Sequence, residues 1–291
     1  VTTDANIDTT GQRNLTISGE LDAATLDISG DADIDGTSNL DIVDIDVSLD
    51  VNGTIKLDGN YPTGTDNVAL GDTALDSVEA GGINNVAIGD NAGTAITTGD
   101  ANTAVGALAL DAVTTASANT ALGYAALSAN TDGANNVAVG RSALVTNQTG
   151  DNNIAVGRSA LLVNTASDNI AVGYQALLEN TSGTANIGIG CGSLDANQTG
   201  SNNVAVGKHT LGSNTTGASN TAIGRTAMNG NTEGDLNTAV GCGALYTNST
   251  ADHNTAVGAC ALYANTTGDN NVAIGLCTMV ANTTGYTNTA V

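Results

Sequence analysis

Asn136-Val137-Ala138-Val139-Gly140-Arg141-Ser142-Ala143-Leu144-Val145-Thr146-Asn147-Gln148-Thr149-Gly150 is one turn of a pattern that returns along most of the chain. Gly recurs at 71, 89, 106, 123, 140, 157, 173, 190, 207, 224, 241, 258 and 275, with a mean step of 17 residues. One step is 18 residues long and one, from Gly157 to Gly173, is 16. An Asn stands four residues before each of these Gly, from Asn67 to Asn271, and Asn288 keeps the phase. A fixed period of this kind marks a repeat architecture, in which each unit buries its apolar face only against its neighbours.

A 17-residue unit is too short for two helices and a turn, and its Gly and Asn content opposes helix. Val137-Ala138-Val139 is strand-like, whereas Asn, Thr and Gly clusters are turn-like. The expected fold is all-β: a parallel β-solenoid with one 17-residue coil per repeat. Each coil is expected to hold two short strands, one ending at the Gly and one over Ala143-Leu144, joined by two turns. At the ~4.8 Å spacing of neighbouring strands, thirteen coils rise roughly 60 Å.

The slots divide the work. Leu110, Leu127, Leu144, Leu161, Leu177, Leu194, Leu211, Met228, Leu245, Leu262 and Met279 form the expected apolar stack. Two Asn columns, Asn67 to Asn288 and Asn130 to Asn282, are expected to form side-chain amide ladders at the turns. Between the flanking residues of the first strand lies Ala104, Ala121, Ala138, Ala155, Ala171, Ala205, Ala222, Ala239, Ala256 and Ala273, broken by Gly188. Val137 and Val139 face one way and Ala138 the other. So uniform a small column implies close backbone approach, and we expect these Ala to contact another copy in a homotrimer. The alternative places them as small core residues of a flattened coil.

Composition removes several classes. Six basic residues against 29 acidic ones give a formal charge of -23. A nucleic-acid binder needs a basic stripe, and an anionic membrane repels this charge. No run of 18 apolar residues is present, so no transmembrane helix is expected. The opening Val1-Thr2-Thr3-Asp4 has no signal-peptide pattern, and the stop at Val291, in mid-coil, suggests that more sequence follows.

Residues 1–60 read as a separate acidic β-rich segment, 61–66 as a junction around Pro62, and 67–291 as the solenoid. Asp31, Asp33 and Asp35 copy the front half of a calcium loop, but its twelfth position is Ile42 rather than Glu. They are weak metal candidates, with an acidic-faced strand as the default. Catalytic chemistry is sparse. His209 and His253 share no slot, and the acids of the repeat region are scattered, without the paired carboxylates of a glycoside hydrolase. Broken Thr columns argue against ice binding. Cys260 and Cys277 share a slot in adjacent coils, a separation compatible with a disulfide or with stacked free thiols. No catalytic residue, cofactor or firm metal site is expected. Tyr124, Arg141, Arg158, Tyr174, Lys208 and Arg225 occupy the slot after the Gly and form a candidate exposed ridge, able to touch a glycan or a neighbouring protein.

Asn254-Thr255-Ala256-Val257-Gly258 and Asn271-Val272-Ala273-Ile274-Gly275 resemble the head repeats of trimeric autotransporter adhesins. Ala261-Leu262 and Asn265-Thr266-Thr267-Gly268 resemble repeats of phage tail-fibre proteins. The resemblance covers residues 67–291 and implies a homotrimeric β-roll in a virion appendage or on a bacterial outer surface. The adhesin repeats are usually shorter, and neither a barrel anchor nor a self-cleaving chaperone domain is visible. The expected function is a non-enzymatic rod of a phage tail fibre, contributing to host attachment. The alternative is a bacterial surface adhesin head. Expected partners are further copies of the chain, other virion proteins, or a cell-surface glycan or protein.

Overall fold

A computed structural model describes residues 66–79 and 81–291. The acidic segment, most of the junction, and Asp31, Asp33 and Asp35 lie outside these residues. The described part is all-β. It is a parallel β-solenoid of about thirteen coils, with strands β1 (Val68–Leu70) to β14 (Thr289–Ala290) in one fourteen-stranded sheet ordered as in the chain. Every neighbour is paired in register. In β5 (Val137–Val139) and β6 (Ile154–Val156), Val137 meets Ile154, Ala138 meets Ala155 and Val139 meets Val156.

Each coil contains one strand, not the two expected. Ala143-Leu144 lies in consecutive turns, and Leu144 has φ +54°. The same left-handed conformation recurs in the slot two after the Gly, as at Ser142 with φ +55°. Alternation of this kind coils the chain tightly, so that Leu144 points inward without extended backbone. A bulky residue at positive φ is disfavoured on its own. Here the stack holds it: the Leu144 N–H donates to the Ala160 carbonyl of the next coil at 3.0 Å.

The Gly column is required twice over. Gly140 has φ +131°, and a Cβ there would lie 2.7 Å from the Gly157 carbonyl of the next coil. No L-side chain satisfies both conditions.

The core is thin and made of three columns. Leu144, Ala143 and Ala138 have no exposed surface within a single chain, and nor do most of their equivalents away from the two ends of the stack. This overturns the interchain role expected of Ala104, Ala121, Ala138, Ala155, Ala171, Ala205, Ala222, Ala239, Ala256 and Ala273. Their methyl groups point into the coil's own interior. The alternative reading of small core residues is the one seen. Close approach does explain the column, but the approaching backbone belongs to the same coil.

Both Asn columns are fully buried over most of their length. Asn136 Oδ1 accepts from the Asn153 backbone N–H at 2.9 Å, and its Nδ2 donates to the Gly150 carbonyl at 2.8 Å. In the second column, Asn147 Nδ2 donates to Asn130 Oδ1 at 2.8 Å and to the Gly150 carbonyl at 2.9 Å. Each amide thus satisfies turn groups that the sheet cannot reach, and a buried amide needs those partners in return.

Candidate functional site

With the Ala column turned inward, the residues on either side of it face out. Val137, Val139, Ile154, Val156, Ile170 and Val172 belong to one flat, solvent-facing sheet of Val, Ile, Leu and Thr. Leu122 is 47% exposed and Ile223 is 42% exposed. Over fourteen strands of three residues this face projects roughly 60 by 10 Å. That is at the upper end of the ~300–600 Å² apolar patches found on monomers.

Beside this face runs the ridge. The structure stacks Tyr124, Arg141, Arg158, Tyr174, Lys208 and Arg225 along one edge, all exposed. The register is fixed by backbone bonds: Ser142 N–H to Tyr124 O at 2.9 Å, Ser159 N–H to Arg141 O at 3.1 Å, and Gln175 N–H to Arg158 O at 3.1 Å. The Arg141 guanidinium lies 5.8 Å from the Tyr124 ring centre, and that of Arg158 5.7 Å from the Tyr174 ring centre. Sequence reading found these residues by slot but missed the two cation–π contacts, which follow from stacking unlike neighbours one strand spacing apart.

The four cysteines are free. Cys260 and Cys277 occupy the same slot of adjacent coils. Partial burial, then the neighbouring thiols of Cys277 and Cys242, push the Cys260 thiol up. Among the described residues no cluster of three or more His, Cys, Asp or Glu is arranged to hold a metal ion. No described helix is long and apolar enough to cross a membrane.

Two carboxylates are perturbed. Asp195 is raised by burial and by Glu179, with opposing effects from a backbone hydrogen bond and from His209. Asp111 is raised by burial, and its Oδ1 has no hydrogen-bond partner. They stand five coils apart in the same slot of the repeat and do not form a pair. His253 lies elsewhere, in the turn before Asn254.

No protein-family model matches the chain, and none of the curated proteins matches it.

Proposed function

We propose that the solenoid is a rigid, non-catalytic rod in a phage tail fibre or related virion appendage, assembled as a homotrimer. The observation that carries this reading is the unbroken register of fourteen strands, with an outward face of Val, Ile, Leu and Thr that runs the length of the stack. Each coil touches only its neighbours, so length and stiffness grow by adding copies. The role fits holding an attachment part at a fixed distance and orientation from a particle.

The trimer contact is the Val137 and Val139 face, not the Ala column. Its projected area is on the order of the ~800 Å² that each partner contributes to a stable interface. A closed three-fold arrangement covers one such face on every copy. The shared motif with tail-fibre repeats, Asn265-Thr266-Thr267-Gly268, supports the virion setting.

Electron microscopy of purified particles with a gold-labelled antibody against residues 67–291 tests the setting. Label along a tail appendage is the expected result. Label on bacterial cells that make no particles would reject the virion assignment and support the surface-adhesin alternative.

A further inference from the structure

We propose that the ridge is a binding edge for a linear acidic polysaccharide. Arg141 and Arg158 grip one anionic group, and Lys208 and Arg225 grip another. Every Lys and Arg among the described residues stands in this single column. None of them makes an ion pair with a described carboxylate within 4.0 Å. Among the described residues, these cations donate one side-chain hydrogen bond, from Arg225 Nη2 to Cys242 Sγ at 3.8 Å.

That arrangement has a cost. Arg141 and Arg158 sit in adjacent coils about 4.8 Å apart, and like charges directly opposite each other on neighbouring strands are destabilising. Fifteen acids lie in residues 67–291, yet none occupies the slot on either side of these cations. Before the Gly the column carries only Leu, Val and Ile in these coils; after the ridge come Ser142, Ser159, Gln175 and His209. The rings of Tyr124 and Tyr174 flank the pair, each ring stacked against the guanidinium next to it. A guanidinium fork matches the oxygens of a carboxylate or sulfate, and two held forks present a ready site.

Spacing selects the polymer. The centres of the Arg141/Arg158 and Lys208/Arg225 pairs are four coils apart, roughly 19 Å at the strand spacing. Duplex DNA carries one charge per ~1.7 Å of axis, a density that two separated cation pairs do not match. A sugar chain with carboxylates or sulfates at intervals meets the two pairs and lies along the exposed Tyr edges. At physiological salt the Debye length is ~8 Å, so the local cations outweigh distant acids. The edge rests on coil register alone and does not depend on the virion assignment.

The test is titration of the full chain with polygalacturonate, dextran sulfate, neutral dextran and oligo(dT) at about 0.15 M salt. Binding to polygalacturonate shows a carboxylate ligand, binding to dextran sulfate a sulfate ligand, and either supports the edge. Arg141→Gln with Arg158→Gln should weaken that binding at least tenfold, without lowering the melting temperature. The Lys pair of substitutions, Arg141→Lys with Arg158→Lys, should lose part of it because the forks are gone. Lys208→Gln with Arg225→Gln gives an independent reading if the first variant melts early. Binding to neither acidic polymer, equal binding by the variants, or tighter binding to oligo(dT) would overturn the proposal.

Discussion

Gly188 and Ser193 are complementary: a Cβ at Gly188 would lie 3.1 Å from Ser193 Oγ and 3.2 Å from Leu177 Cγ. Gly188, in β8 (Ile187–Ile189), breaks the strand Ala column. Ser193, fully buried, breaks the second Ala column in the same coil, and its Oγ donates to the Gly190 carbonyl at 3.0 Å. The larger residue on one side is offset by the smaller on the other. Gly188→Ala should therefore destabilise, while Gly188→Ala combined with Ser193→Ala restores the ordinary coil. A double-mutant cycle by chemical denaturation should show coupling of ~0.5–3 kcal/mol.

Leu144→Ala should cost about 2–5 kcal/mol in a denaturation series, because it opens a cavity in a column with no neighbouring slack. The half-buried Val145→Ala, one residue on, should cost less. Equal losses at the two positions would contradict the inward direction of Leu144 at φ +54°.

Asn136→Ala removes one acceptor and one donor. The Asn153 N–H loses its partner at 2.9 Å, while the Gly150 carbonyl keeps the bond that Asn147 Nδ2 donates at 2.9 Å. Each buried group left unsatisfied costs about 1–3 kcal/mol. Hydrogen exchange should speed up at the Asn153 amide before it changes in distant coils.

Asp111 gives a pH signature of defined sign. Its folded pKa is raised by burial above the ordinary carboxylate value of 3.8. The folded state then holds the proton more tightly than the unfolded one, so stability falls as pH rises from that value through the raised one. Asp111→Asn should raise the melting temperature at pH 7, and the gain should shrink in acid. A gain that grew on acidification would contradict the assignment.

Cys260 and Cys277 should couple on treatment with hydrogen peroxide: two thiols lose two hydrogens, one disulfide forms, and two waters are released. Peptide mapping should find that linkage with Cys191 free. The bond closes one coil onto the next, so melting should rise. Linkage of Cys191 instead would contradict the stacking of Cys260 and Cys277 in one slot of adjacent coils.

The period and the two amide ladders were legible because Gly140 and Asn136 recur where only one residue type serves. The inside of the coil was not. Val137-Ala138-Val139 alternates, but alternation says that two faces differ, not which one is enclosed. The answer depends on the turn segment, where Leu144 adopts a left-handed conformation that its residue type disfavours. No local propensity announces that choice; it is imposed by hydrogen bonds to the next coil. For the same reason a second strand was expected at Ala143-Leu144 and is not formed. The ridge was legible as a slot, while its pairing of Tyr124 with Arg141 needed the register.

The proposed assembly is tested most directly by a side-chain-resolution electron microscopy map of the chain purified in solution. Three solenoids should rise ~4.8 Å per coil and meet through Val137 and Val139, with Ala138 enclosed in each coil. A lone solenoid with that face bare, or copies meeting through the Arg141 edge, would contradict it.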